Sequence, residues 1–461
     1  MNNRVEITIP GDKSISHRAV MLGSLATGVS KFRNFLFSED CIHTINIFHT
    51  LGVRIETDEK TGSVAVNGVG LNGLKKPDRV LDVGNSGTGI RLITGILAGQ
   101  AFDSQITGDA SIQNRPMRRI IEPLTRMGAV IKGCEISGRK GVFPPLSIHG
   151  SQTITNITYT LPVASAQVKS AVLFASLFSE QPTTIIEPHS SRDHTERFLK
   201  VFGADIAKQD WDNVFKKNNT MSCSGKNTLK APDKELFIPS DISSAVFFIV
   251  LACLAKDSSR EFVFKHIGLN PTRAQILNVL GQMGADIEIR NKKGEDFEPY
   301  GDIIVKPLYD LNNQAGAGNK ERGIQKGEAL PRYKNIEIDP KLIPFIIDEI
   351  PILAVAGMFG EGRFKVTGAK ELRVKESDRI RSICEMLRAF GAEVIEFEYG
   401  FEFIGPVKFK EKCEIKSYGD HRIAMSAMIA AAAAGVSVST DQKSISTSFP
   451  NFGQILGNFK I

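Results

Sequence analysis

At several points in this sequence, lysine and arginine stand beside glycine or hydroxylated residues just where an apolar helical stretch begins. The first such run is Pro10-Gly11-Asp12-Lys13-Ser14-Ile15-Ser16-His17-Arg18. Lys13 and Ser14 fall at a helix start and Arg18 one turn further on. Unpaired backbone N–H groups and the helix dipole favour anions at such a place. The second run, Gly84-Asn85-Ser86-Gly87-Thr88-Gly89-Ile90-Arg91, carries three glycines that let the backbone approach a ligand closely. It is no Walker motif, because the four-residue spacing and the Gly-Lys-Ser/Thr ending are absent. It is no dinucleotide fingerprint either, because 87–92 ends in leucine where the third glycine belongs. Read alone, the first run serves equally well as a capped, solvated helix start, and the second as a tight turn.

Further charged clusters follow: Arg115-Pro116 within Asp109–Met117, Ser165–Lys169, Ser191–Arg197, Ile347-Asp348-Glu349, Arg373–Arg379 and Gly419-Asp420-His421-Arg422. A single cluster of this kind is usually a solvated face, and the mixed signs of Arg373–Arg379 suit exposed helix salt links. His17, His194 and His421 are far apart and each lies beside or close to an arginine. With no His-Glu-x-x-His or Cys-x-x-Cys spacing, no metal site is expected. The six scattered cysteines read as buried thiols in a reducing compartment.

The elements that must position these residues show a repeat. A bulky apolar residue, glycine and a small residue recur as Leu51-Gly52-Val53, Met127-Gly128-Ala129, Phe202-Gly203-Ala204, Met283-Gly284-Ala285 and Phe390-Gly391-Ala392, with a weaker echo at Leu456-Gly457-Asn458. Each phrase ends an amphipathic helical pattern and precedes a strand-like alternation. A second helical segment lies upstream in every unit, over 14–26, 87–98, 165–178, 243–255, 348–359 and 421–434. Six units of about 75 residues account for the chain. The longer interval before Gly391 holds an insertion, about 291–334, expected as a solvent-exposed loop. If the units pack symmetrically, the charged helix starts converge into an anion trap.

Length and composition bound the rest. A chain of 461 residues with 42% hydrophobic and 23% charged residues is neither disordered nor fibrous, and is too long for one ordinary domain. The net charge of +6 favours anionic partners without naming them. The longest apolar runs, 245–255 and 423–438, fall short of the roughly 20 residues a spanning helix needs. Met1–Pro10 has no basic-then-apolar signal segment. A soluble, cytoplasmic protein is expected, with no membrane contact.

Taken together, the motifs resemble the 5-enolpyruvylshikimate-3-phosphate synthase family, from Ile9 to Phe452. The likeness rests on Gly11–Arg18, Gly84–Thr88, Asn114–Met117, Ala164–Ser170, Arg192–Glu196, Arg373–Arg379 and Gly419–Met425. The runs Ser165–Ala171 and Arg192–Glu196 are similar to the bacterial branch called class II. The resemblance implies an α/β fold, a two-lobed inside-out barrel of six βαβαββ-type repeats, three per lobe, with the active site between lobes. One lobe would be 12–239, the other 1–11 with 240–461. It implies transfer of the carboxyvinyl group of phosphoenolpyruvate to the 5-hydroxyl of shikimate 3-phosphate, with release of phosphate. No cofactor or metal is implied, and a monomer is expected.

The resemblance also implies roles. Lys13, Asn85, Gly87, Arg115, Gln167, Arg379 and Arg422 would hold phosphoenolpyruvate, since the guanidinium fork pairs carboxylate or phosphate bidentately. Lys13, Ser14, Arg18, Ser165, Gln167, Arg192, Asp348 and Lys375 would hold shikimate 3-phosphate. Asp348 would be the base on the attacking hydroxyl, Glu376 the group handling the C3 proton, and Lys13 a third catalytic residue. His421 would support them. The chain departs from the family in two places: Leu92 stands where others have proline, and Thr447-Ser448-Phe449-Pro450 lacks the usual lysine, although Lys443 is near. Glycine at 87 leaves the pocket without a methyl group, so inhibition by glyphosate is expected.

Two other readings compete. The enolpyruvyl transferase acting on UDP-N-acetylglucosamine shares the fold but commonly carries a loop cysteine near the position of Arg115, and 109–119 has none. A basic nucleic-acid-binding scaffold would need an aromatic–basic stripe; this chain has one tryptophan and dispersed lysines. No nucleic-acid partner is expected.

Overall fold

Five of the recurring glycines stop helices by adopting positive φ: Gly52 at +86°, Gly128 at +96°, Gly203 at +82°, Gly284 at +101° and Gly391 at +114°. They follow the helices Glu39–Thr50, Arg118–Arg126, His194–Val201, Gln275–Gln282 and Arg379–Phe390. Side chains avoid this conformation, so glycine marks the stop. Gly457 behaves differently. It lies inside the helix Phe452–Asn458, so the closing echo is no cap.

The computed structural model describes residues 3–150, 153–209, 213–224, 228–257, 259–307 and 333–459. It divides into two compact units. One is Gly11–Pro239 with Glu295–Glu298; the other is Met1–Pro10, Ser240–Gly294 and Pro299–Ile461. The Gly11–Pro239 unit contains three four-stranded sheets among the described residues. Each has one parallel pair and two antiparallel pairs, as in Leu236–Phe237, Thr27–Arg33, Ser63–Val69 and Arg54–Asp58. The antiparallel neighbours Arg54–Asp58 and Ser63–Val69 are joined by a short turn, whereas the parallel partner is reached only after a long crossover. The other unit has a four-stranded sheet of the same kind: Arg4–Ile7 runs parallel to Glu261–Gly268, followed by Tyr300–Lys306 and Asp286–Lys293. A three-stranded and a two-stranded sheet complete it.

The predicted upstream helices form at Lys13–Leu25, Gly87–Ala98, Ala166–Ser176, Ile242–Cys253, Ile350–Phe359 and His421–Ala434. They are the most buried elements; every residue of Ile242–Cys253 is buried. A helix apolar all round belongs in a core. Where Gly87–Ala98 meets Ala166–Ser176, a Cβ on Gly95 would come within 2.3 Å of the Ala171 carbonyl oxygen. Glycine there sets how closely the two helices approach. The expected helix over 348–359 begins later, at Ile350, so Asp348 lies ahead of it rather than on it. No single helix among the described residues is long and apolar enough to cross a membrane.

Two expectations are corrected. The region 291–334 is not one exposed loop: Tyr300–Lys306 is an inner strand with Gly301–Val305 buried. Its apolar core, Ile303-Ile304-Val305, is short and flanked by polar residues and glycine, which conceals it in a composition average. Phe297 packs edge-on against Phe198 at 4.8 Å, and Glu298 accepts from His194 Nδ1 at 2.7 Å, both within the Gly11–Pro239 unit. Residues 308–332, with the polar run 312–327, lie outside the described residues. Of the six cysteines, five are buried, but Cys134 is exposed at the end of the edge strand Val130–Cys134. Burial pushes the Cys41, Cys253 and Cys384 thiols up to about 12, so they remain uncharged.

His17 is buried in the first long helix, with Nδ1 at 2.7 Å from Thr44 Oγ1 and Nε2 at 3.3 Å from Ser86 Oγ. Burial first, then the charges of Lys13 and Arg18, lower its pKa from 6.5 to about 3 despite Asp12. The unfolded chain takes up this proton below pH 6.5, but the fold resists it down to about 3. His17 therefore contributes fully above pH 6.5, and its contribution falls by about 1.4 kcal/mol per pH unit as pH drops toward 3. His17→Asn can keep a partner for Thr44 and does not titrate. Its urea midpoint should decline less steeply than the native one between pH 6.5 and 4.5, and parallel declines would refute this account.

The glycine stops yield a second expectation. A Cβ on Gly203 meets nothing within 4 Å, whereas on Gly391 it comes within 2.6 Å of the Lys408 carbonyl oxygen. Gly203→Ala should cost about 1 kcal/mol from backbone strain alone. Gly391→Ala should cost about 2–4 kcal/mol, strain and clash together, in urea unfolding.

Candidate active site

In the Gly11–Pro239 unit, three of the deep helices and the helix His194–Val201 bring their starts together. Lys13–Leu25 packs on Gly87–Ala98 and His194–Val201, and Gly87–Ala98 packs on Ala166–Ser176. Their caps differ in charge. Asp12 caps the first helix, accepting from Ile15 N at 2.9 Å, so its own carboxylate answers the helix dipole. Neutral serines cap the next two: Ser86 accepts from Gly89 N at 2.9 Å, and Ser165 from Val168 N at 3.4 Å. Those two starts keep their partial positive charge for a ligand.

Around the Gly87 start, Arg115 Nη2 donates to Asn85 Oδ1 at 3.0 Å and to Ser111 Oγ at 3.1 Å. Asn85 Nδ2 in turn donates to Asp109 Oδ2 at 2.6 Å. Gln167 Nε2 reaches Thr88 Oγ1 at 3.4 Å. A Cβ on Gly87 would stand 2.7 Å from Arg115 Nη1 and 3.0 Å from Arg91 Nη1. Asn85, Gly87, Arg115 and Gln167, expected to share one ligand, are thus neighbours in this unit.

The second set gathers around Arg18, which is 3% exposed. Its Nε donates to Thr195 Oγ1 at 2.7 Å, Nη1 to the Ser14 carbonyl at 2.9 Å and Nη2 to Ser170 Oγ at 3.0 Å. Burial lowers its pKa to about 10, which still leaves it cationic at neutral pH. Lys13 Nζ forms an ion pair with Asp40 Oδ2 at 3.0 Å. Arg192 is half-buried in the segment just before the His194–Val201 helix.

In the other unit, Arg379 is the centre. Its side chain is 1% exposed, and its Nη1 meets Asp348 Oδ1 at 2.9 Å while Nε meets Asp420 Oδ2 at 2.7 Å. Nη2 pairs with Glu376. Burial opposes the charge, but Asp420, Glu376 and Asp348 together outweigh it and raise the pKa. Lys375 Nζ reaches the same Asp348 oxygen at 3.1 Å. Arg422 Nη1 donates to the Asp348 carbonyl at 2.9 Å and lies 3.8 Å from Glu349. Asp348, Lys375, Glu376, Arg379 and Arg422 are therefore one linked cluster. His421, also buried, opens the His421–Ala434 helix next to Arg422.

Several members of these networks were given no role from sequence. Asp420 both caps its helix, accepting from Arg422 N at 3.0 Å, and pairs with Arg379. Its signal was present, an aspartate directly before a helical run. Lys169, Glu187, Thr195 and Glu196 also went unassigned. For Glu187, a single acid on a strand, no local pattern marks it. Lys443 is exposed, and Phe449 is buried against Phe248 and Phe452.

Comparisons with known proteins give the family and the fold. A family model described as EPSP synthase (3-phosphoshikimate 1-carboxyvinyltransferase) matches residues 2–456. The 3-phosphoshikimate 1-carboxyvinyltransferase of Petrotoga mobilis is 44% identical over 455 residues, which cover 98% of this chain and 96% of that protein. The one from Caldicellulosiruptor saccharolyticus is 45% identical over 454 residues, with the same coverage. An EPSP synthase structure from Acinetobacter baumannii aligns with a TM-score of 0.79 at 38% identity, over 99% of this chain and 95% of that one. The enolpyruvyl transferase NikO from Streptomyces tendae, at 15% identity and a TM-score of 0.71, covers 98% of this chain and 94% of its own, and shares the fold alone. With a family match from residue 2 to 456 and relatives this similar along nearly the whole length, the chain belongs to the EPSP synthase family.

Proposed function

We propose that this protein transfers the carboxyvinyl group of phosphoenolpyruvate to the 5-hydroxyl of shikimate 3-phosphate and releases inorganic phosphate. The observation that carries the reading is the Asp348 carboxylate, whose Oδ1 meets both Lys375 and Arg379 while Glu376 shares Arg379. Two carboxylates held among cations suit a reaction that moves protons in both directions between polyanions. Asp348 accepts the proton of the 5-hydroxyl as its oxygen bonds to C2 of the enol, while Glu376 delivers a proton to C3. Glu376 then takes a C3 proton back, the C2–O bond to phosphate breaks, and the departing phosphate takes the proton held by Asp348, so that Asp348 is again a carboxylate and Glu376 again carries its proton. Lys13 offsets the charge that develops, and His421 supports the carboxylate cluster.

In this reading, Arg115, Asn85, Gly87 and Gln167, with Lys13, Arg379 and Arg422, hold phosphoenolpyruvate. Ser14, Arg18, Ser165, Arg192 and Lys375, with Lys13, Gln167 and Asp348, hold shikimate 3-phosphate. The reaction calls on no metal or organic cofactor, and the enzyme works as a cytoplasmic monomer without nucleic acid or membrane.

Phosphate release from phosphoenolpyruvate should require shikimate 3-phosphate; release with a UDP sugar instead, or none at all, overturns the assignment. Asp348→Ala and Glu376→Ala should each lower kcat by about 100-fold or more, with shikimate 3-phosphate affinity changed far less. Near-normal turnover in either variant removes its assigned role. Glyphosate should inhibit in competition with phosphoenolpyruvate. Gly87→Ala, whose methyl group would press on Arg115 and Arg91, should raise KM for phosphoenolpyruvate and weaken that inhibition. Unchanged values for both would place Gly87 outside the pocket.

A further inference from the structure

Lys169 lies in the first turns of the Ala166–Ser176 helix, and its side chain has no exposed surface. Its Nζ meets Glu187 Oε2 at 3.0 Å, from the strand Thr183–His189, and Glu196 Oε1 at 2.8 Å, from the helix His194–Val201. It also reaches the Ser191 carbonyl oxygen at 3.4 Å, and Ser191 Oγ donates to Glu187. Next along the helix, Ser170 Oγ lies 2.7 Å from the hydroxyl of Thr195, the residue before Glu196. Two adjacent rungs, one ionic and one hydroxyl, therefore join the same pair of helices. Arg18 donates to both oxygens of the hydroxyl rung. Two cations, Lys169 and Arg18, balance the carboxylates Glu187 and Glu196. Arg192 directly follows Ser191, whose carbonyl and hydroxyl are both held by this network.

We propose that Lys169 is a positioning residue for shikimate 3-phosphate: by clamping Glu187, Glu196 and the Ser191 carbonyl, it sets where Arg18 and Arg192 present their guanidinium groups. The inference rests on the assignment of Arg18 and Arg192 to that substrate. Without the ammonium, two buried carboxylates are left with one cation, Arg18, between them, and they separate or draw in water. Either response moves the Ser190–Asp193 segment and the Thr195 hydroxyl. A lysine serving stability alone would change the fraction of folded enzyme and the unfolding midpoint, and leave both KM values as they were.

The test compares the wild type with Lys169→Met and with Lys169→Met/Glu187→Gln, in which Glu196 is left facing Arg18 and the charges balance again. If the single variant does not fold, the double variant decides. In the folded variants KM for shikimate 3-phosphate should rise by about ten- to a hundredfold, while KM for phosphoenolpyruvate stays within about threefold. A wild-type KM for shikimate 3-phosphate in the double variant overturns the proposal, as does an equal rise for both substrates. Arg192→Ala separates the two layers of the argument. If it leaves KM for shikimate 3-phosphate unchanged, the substrate assignment itself fails; if it raises KM and the Lys169 variants do not, only the positioning role fails.

Discussion

A cation removed from water loses several kcal/mol of hydration unless anions at close range replace the solvent. Arg379 is such a cation, and its guanidinium edges are answered by Asp348, Glu376 and Asp420 from three separate stretches of chain. The dependence runs both ways. The same ion pairs that permit Arg379 to be buried also hold the two carboxylates to which the chemistry is assigned, so their geometry is set before any substrate arrives. Lys375, arriving from a neighbouring turn, then adds a second cation to an Asp348 oxygen that already has one. Preorganised charge of this kind needs no rearrangement at the moment of reaction.

The Gly11–Pro239 unit meets the same constraint with different residues. Lys169 is neutralised by Glu187 and Glu196, and Arg18 lies beside that pair on a rung of two hydroxyls. Helices apolar enough to be buried throughout hold these charged starts in place, and the close approach at Gly95 keeps two of them side by side. Charge at the ends and apolar packing along the length are the division of labour in each deep helix. The His421–Ala434 helix shows it plainly, with Asp420, His421 and Arg422 at one end and a run of alanines after them.

Much of this was legible in the residues. The glycine after each amphipathic stretch marked five helix ends, because only glycine takes positive φ there without strain. Caps such as Asp12, Ser86 and Ser165 stood directly before the helices they begin. The strand Tyr300–Lys306 was missed, since three apolar residues among polar neighbours do not raise a local average. Asp348 was placed on a helix that starts two residues later, with Pro351 in its first turn. Glu187 and Glu298 left no trace in any motif. Each matters only because a residue distant in sequence, Lys169 or His194, needs a partner out of water.

By itself, then, the sequence determined the local half of this protein. It specified helix starts and stops, strand alternation, and motifs distinctive enough to identify the family, because caps, turns and periodicity are interactions between residues a few positions apart. Only the tertiary structure decided which charges neutralise which. The partners of Arg379 span Asp348 to Asp420, and those of Arg18 run from Ser14 to Thr195. Desolvation acts on whatever the folded chain brings together, so the pairing of buried ions is a property of the packed core rather than of any one segment.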